Sequence, residues 1–225
     1  PVAKKTEIGG GYAGISVVGN LVYTCDRQKP PEERERILCF AADSGRLVWK
    51  HEYPVEYGKL DYGNGPRATP TIHDGKLYSV GAVGDVRCLD AKTGAVVWQF
   101  HLVKDFAGRL QMWGYSGSPV IHGDFCYLST GNADGASVIA VHRLTGKLLW
   151  KSLSDEAGYA TPVVFRAHDR DVARVVTRRA FLLERRLVFL VDDDHAEVFH
   201  RREHRRTRAD DDARFTALEG HLVKL

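Results

Sequence analysis

Short apolar runs, often alternating with polar positions and cut by glycine-containing turns, fill most of the first 165 residues. Within 68–103, the runs ATPTI, KLYSVGAV, VRCLDA and AVVWQFHL are separated by HDG, GD and KTG. Four β-rich runs divided by turn residues predict a four-stranded antiparallel meander. Residues 117–153 repeat the plan with GSPVI, FCYLST, ASVIAVH and KLLWKSL. Residues 13–53 repeat it once more with AGISV, LVYTCD, RILCFAAD and RLVWKHEY. In that unit the second turn is the longer RQKPPEERE, whose charges and Pro30-Pro31 predict a solvated loop.

Each unit ends on the same signature: SGRLVW at 44–49, TGAVVW at 93–98 and TGKLLW at 145–150. The tryptophans, Trp49, Trp98 and Trp150, are 49 and 52 residues apart, a period that marks a repeat architecture. Gly45, Gly94 and Gly146 fall in the turn before the fourth strand, where a positive φ is expected. A large aromatic at one fixed place per unit suits stacking of neighbouring units, and its burial stabilises each contact by roughly 3 kcal/mol or more. One small sheet cannot cover both of its faces, so the units must stack. Four strands in about 50 residues point to an all-β fold, a β-propeller of four-stranded antiparallel blades. The expectation is a partial propeller with three clear blades.

The pattern changes near Phe165. Residues 166–214 hold 13 arginines and no lysine, and the last 60 residues hold one of 22 glycines. The domain reading is therefore 1–165 as blades and 166–225 as a degenerate fourth blade or an altered, arginine-rich tail. ATPVV at 160–164 opens a fourth copy, and a further step of 49 from Trp150 reaches Phe199, with His195 in the glycine's place. A helix carrying Val172, Val176, Ala180, Leu183 and Leu187 on one face is an alternative. A frame-shifted continuation is another.

LDAKTGAVVW resembles the AxDxxTGxxxW repeat of the PQQ-like propellers, and DYGNGPRATPTIHDGKLYSVGAVGDVRCLDAKTG is similar to their BamB-like, outer-membrane-assembly branch. The resemblance covers about residues 9–165. Only the second copy carries the motif's aspartate, Asp90; Ala41 and His142 stand at the equivalent positions. The resemblance implies a protein-interaction scaffold in the periplasm or cell envelope, with a protein partner from envelope assembly and no cofactor. Such propellers usually have seven or eight blades, so the chain reads as a fragment.

In such a ring the first strand of each blade lines the channel and its entry loop lies on one face. The entry segments GGGYAG, GNGPRATP, WGYSGSP and EAGYATP put Tyr12, Arg67, Tyr115 and Tyr159 near one mouth, and tyrosine and arginine are common binding anchors. The enzyme alternative is a fragment of a PQQ-dependent (quinoprotein) dehydrogenase, holding PQQ with calcium. Glu56, Asp61, Asn64 and Asp105 carry the right ligand atoms, but no calcium-loop spacing fixes them. The adjacent cysteines that often face the quinone are missing.

Other chemistry is sparse. Cys25, Cys39, Cys88 and Cys126 have no metal-ligand spacing; a Cys25–Cys39 bridge between neighbouring strands is one reading and four half-buried thiols the other. HRREH at 200–204 matches an H-x-x-E-H zinc pattern with Glu203 as base, but its polar, arginine-dense surroundings provide no apolar helix to bury it. A formal charge of +3 is small, and two Asp-Asp-Asp runs offset the arginines, so no nucleic-acid partner is expected. No apolar run is long enough to cross a membrane.

Overall fold

The computed structural model describes residues 5–29, 31–58, 60–61, 63–156, 158–167, 170–174, 187–191 and 195–199, with the backbone alone from 165 onward. The first blade is β1 (Ser16–Val18), β2 (Leu21–Gln28), β3 (Arg34–Ala41) and β4 (Leu47–Pro54). The second is β5 (Thr71–His73), β6 (Lys76–Val80), β7 (Asp85–Asp90) and β8 (Val96–His101). A short helix, α1 (Leu102–Phe106), leads out of it. The third is β9 (Val120–His122), β10 (Phe125–Asn132), β11 (Ala136–His142) and β12 (Leu148–Ser152). Each is an antiparallel meander in chain order. Beyond them, β13 (Val163–Ala167) pairs with β14 (Arg170–Arg174), and β15 (Leu187–Val191) with β16 (His195–Phe199). Strand β14 lies beside β15. Val172 and Leu187 are thus in strands rather than on the alternative helix; its other members, the HRREH motif and both Asp-Asp-Asp runs lie outside the described residues.

The blades are arranged about their first strands: β1 adjoins β5, β5 adjoins β9, and β9 adjoins β13. A relay of hydroxyls ties these inner segments together. Gly14 N–H donates to Thr69 Oγ1 at 3.0 Å, Thr69 N–H to Ser118 Oγ at 2.9 Å, and Ser118 N–H to Thr161 Oγ1 at 3.0 Å. Ser16 and Thr71 hydroxyls donate onward to the Pro70 and Pro119 carbonyls. Inner strands that are too short to pair along their length gain their lateral hydrogen bonds this way.

The tryptophans form the outer half of the same joints. Trp49 pairs with Cys39, Trp98 with Cys88 and Trp150 with Ala140, so a small residue faces each indole. A bulge precedes all three. Trp49 Nε1 donates to the Ala91 carbonyl of the second blade at 3.0 Å, and Trp98 Nε1 to the Arg143 carbonyl of the third at 2.8 Å. A tyrosine on each second strand lies against each indole: Tyr23, Tyr78 and Tyr127, at 5.9–6.1 Å between ring centroids.

Gly45, Gly94 and Gly146 have φ of 66°, 75° and 70°, a region that costs other residues about 1–3 kcal/mol. At two of them a neighbour forbids a side chain as well. A Cβ on Gly94 would sit 2.7 Å from the Trp49 ring, and one on Gly146 2.9 Å from that of Trp98. Gly146→Ala is therefore expected to lower stability by about 1–3 kcal/mol, read as a lower urea midpoint at unchanged slope. An unchanged midpoint would show that indole and turn do not press on each other.

Two expectations need correction. The RQKPPEERE loop is shorter than its composition indicates, because Arg27 and Gln28 belong to β2 and pair with Glu35 and Arg34 of β3. Arg36 forks onto the buried carboxylate of Asp26 at 2.8 and 2.5 Å, and Glu35 has partners of its own. The Cys25–Cys39 bridge is not formed. Register sets Cys39 opposite Tyr23 and Cys25 opposite Ile37, so the thiols are diagonal neighbours. All four cysteines are free and buried, and burial pushes their thiols up, Cys88 to about 11. As neutral thiols they act as small apolar side chains. Among the described residues α1 has no counterpart in the other blades: the His101 ring caps its start and Ala107, at φ 51°, ends it. Among the described residues no helix is long and apolar enough to cross a membrane.

Candidate functional site

The entry loops converge on a depression of about 320 Å³ lined by Tyr12, Arg67, Trp113, Ser116 and Tyr159. Each of the four entry segments contributes to it. Tyr12 is 48% exposed and its hydroxyl accepts from the Asn64 amide at 2.9 Å. Arg67 is held by the Gly65 and Asp61 carbonyls, at 2.5 and 3.0 Å. Its guanidinium lies 5.8 Å from the Tyr12 ring centre and 5.7 Å from that of Tyr57. Trp113, 43% exposed, packs on Tyr159 with centroids 4.8 Å apart.

Tyr115 does not belong to this mouth. It is 5% exposed and packs in the core between the second and third blades. Its hydroxyl donates to the Thr130 carbonyl at 3.0 Å, and its backbone N–H to Ala82. Gly84 and Gly108 leave room for the ring. Gly114, at φ 71°, reverses the chain between the exposed Trp113 and the buried Tyr115. Trp113 takes the place expected of Tyr115, with Ser116 beside it.

Beneath the mouth lies a buried polar joint. Glu35, with no solvent exposure, accepts from Tyr53 Oη at 2.5 Å, Tyr57 Oη at 2.6 Å and the Ala82 N–H of the second blade at 2.9 Å. A Cβ on Gly81 would be 2.3 Å from Glu35 Oε2, so only glycine fits there. Burial pushes the Glu35 carboxyl above the usual range against the pull of the three donors. Tyr57 has Arg27 stacked at 3.9 Å, with Arg67 beyond. Arg87 covers the Tyr53 ring at 3.4 Å and pairs with Asp85 at 3.0 Å. The joint thus reaches from the core to the underside of Arg67.

The oxygen-bearing residues considered for calcium do not converge. Asn64 is turned to Tyr12, and Asp105 accepts from the His101 N–H at the start of α1. Among the described residues no three His, Cys, Asp or Glu side chains are grouped to hold a cation. A second hollow, of about 550 Å³, lies at the edge of the first blade beside Gly9, Gly10, Arg27, Lys29 and Glu32.

Tetrathionate hydrolase from Acidithiobacillus ferrooxidans is 26% identical over 180 residues, covering 72% of this chain and 33% of the hydrolase. The outer membrane protein assembly factor BamB of Xanthomonas campestris pv. campestris is 30% identical over 111 residues, 47% of this chain and 25% of that protein. The chain therefore spans a third or less of either relative. Among solved structures, BamB from Moraxella catarrhalis aligns with a TM-score of 0.44 at 17% identity, covering 92% of this chain and 66% of that one. A europium-containing methanol dehydrogenase aligns with a TM-score of 0.45 at 19% identity, covering 64% and 25%. The family model described as outer membrane protein assembly factor BamB matches residues 33–184, two thirds of the sequence. With its repeated blades and tryptophan joints, the chain belongs to this BamB-like family of PQQ-like repeat propellers.

Proposed function

We propose that the chain is a non-catalytic propeller scaffold that binds a protein partner in the periplasm or cell envelope. The observation that carries this reading is the mouth, where Tyr12, Arg67, Trp113 and Tyr159 arrive from four successive entry segments. Large aromatic rings around an arginine give apolar contact area and charge-assisted hydrogen bonding in one place. Membership of a family described by an assembly factor supports the location and the kind of partner. The same reading takes β13–β16 as a degenerate fourth blade, since its inner and outer hairpins lie side by side.

The competing reading is a part of a quinone-dependent dehydrogenase. One pair of measurements separates them. A photoreactive residue at position 113 is expected to give a discrete protein adduct in envelope preparations, and Arg67→Ala with Tyr159→Ala to abolish that adduct without changing the β-rich circular dichroism. An adduct-free chain that releases saturable heat with PQQ and calcium in a calorimeter would instead establish the dehydrogenase reading. An adduct that survives the double change but disappears on truncation at Phe165 would move the partner to the sheet edge.

A further inference from the structure

The fourth strands of the three blades begin alike. Strand β4 starts on Leu47-Val48, β8 on Val96-Val97 and β12 on Leu148-Leu149, each pair directly before the tryptophan. All six side chains are 37–44% exposed, while Trp49 and Trp98 beside them are buried. The bulge is the cause. Cys39, Cys88 and Ala140 stand opposite the tryptophans, and Phe40, Leu89 and Val141 opposite the first member of each pair, so the second member is an extra residue. The alternation of the strand is broken there, and two successive aliphatic side chains stand outward. Neighbouring blades do not decide this exposure. The second blade lies between the first and the third, and its valines are as exposed as the pairs of the other two.

The pairs share one face of the arc. Each blade is an antiparallel meander in chain order, and its entry segment leads into the first strand from the mouth side. The turn between the third and fourth strands, and the pair that follows it, therefore lie on the side away from the mouth. Charge is sorted there as well. Segments 44–51, 91–104 and 144–154 contain no carboxylate, although the chain has 29 acidic residues against 32 lysines and arginines. Arg46, Lys50, Lys92, Lys147 and Lys151 are exposed around the pairs. Glu52 is held by Lys50 at 2.8 Å, and Asp74 and Asp124, in turns on the same side, by Arg143 at 3.1 and 3.8 Å.

We propose that this rim docks on an anionic phospholipid bilayer. Outward aliphatic side chains set between cations, repeated at every blade on one side, match a surface that offers acyl chains beneath phosphates. A folded protein partner matches less well. The pairs come one to a blade rather than as one contiguous patch, and the bulge interrupts the edge that an added strand would need. Docked in this way, the chain turns its mouth away from the bilayer. The proposal rests on the rim alone and stands whether or not the mouth binds a protein.

Co-sedimentation of the full chain with vesicles tests it, using phosphatidylcholine alone and phosphatidylcholine mixed with phosphatidylglycerol. The chain is expected to bind the mixed vesicles, less tightly as salt rises, and to leave phosphatidylcholine alone unbound. Val96→Thr with Val97→Thr keeps the β-branched shape and replaces two outward methyl groups by hydroxyls. It should weaken binding by about fivefold or more with unchanged circular dichroism. Lys147→Gln should weaken it by about threefold or more. Lys104→Gln, in α1 at the far end of β8, removes the same charge from the mouth side and should leave binding intact. A chain that stays in the supernatant at every lipid concentration overturns the proposal, as does one that binds phosphatidylcholine alone equally well. Binding that ignores the valine changes, or that the two lysine changes weaken equally, also overturns it, since attraction through the arginine-rich tail would behave in that way.

Discussion

Trp98→Ala is expected to cost about 3–5 kcal/mol of stability, the range for removing a large buried aromatic. The indole is 8% exposed and stacks on Phe100 with centroids 5.3 Å apart and planes parallel within 1°. It lies on the backbone of Gly146, and its Nε1 donates to the Arg143 carbonyl of the third blade. Its loss opens a cavity between two sheets and removes that cross-blade hydrogen bond. The glycine turn cannot close the gap without giving up its own bonds, Gly146 N–H to the His142 carbonyl among them. Urea unfolding should show the lower midpoint. A loss under about 1.5 kcal/mol would mean that the blades do not depend on this joint. Trp150 is half-buried, and the same change there should cost less.

Glu35→Leu is expected to be comparably severe, at about 3–5 kcal/mol. Two tyrosine hydroxyls and the Ala82 N–H would lose their common acceptor in a buried site, and each unsatisfied donor costs about 1–3 kcal/mol. Glu35→Gln keeps one acceptor oxygen and the shape, so the loss should be smaller. The pair also reports on protonation. A carboxyl raised above its unfolded value stabilises the fold most below that unfolded value, and the contribution fades as pH rises through the folded value. Burial raises Glu35, so wild type should gain stability relative to Glu35→Gln as pH falls towards the ordinary glutamate range near 4.5. A difference independent of pH would show that the three donors offset burial completely.

The repeat was legible because it is local and periodic. The hydroxyl–glycine pair, the three-residue gap and the tryptophan lie within six residues, and three copies fix which strand they occupy. What escaped depends on partners distant in sequence. Glu35 sits in a charged run that reads as solvated loop, and only Tyr53 of β4, Tyr57 of the loop after it and Ala82 between β6 and β7 make it an interior residue. In W-G-Y at 113–115 the composition is symmetrical about the glycine. Which aromatic faces the mouth is decided by the Gly114 turn and by the space left at Gly84 and Gly108. The helix α1 follows a strand pattern identical in kind to those of the other blades, and its His101 cap is a single side chain. The offset of Cys25 from Cys39 is a matter of hairpin register, in which Gln28 pairs with Arg34 and Cys25 with Ile37.

The indoles are passed in one direction, from each blade to the one that follows it in the chain. Trp49 rests on Gly94 and Trp98 on Gly146. During synthesis, then, no blade can finish its own interior. Each leaves the ribosome with its largest side chain uncovered, and the glycine that will receive it is some 45–48 residues behind. At ribosomal rates of about 5–20 residues per second that is a wait of several seconds, renewed at every blade. The nascent chain is consequently most exposed to misassociation at its growing end, and a stalled ribosome would hold it in that state with one tryptophan waiting.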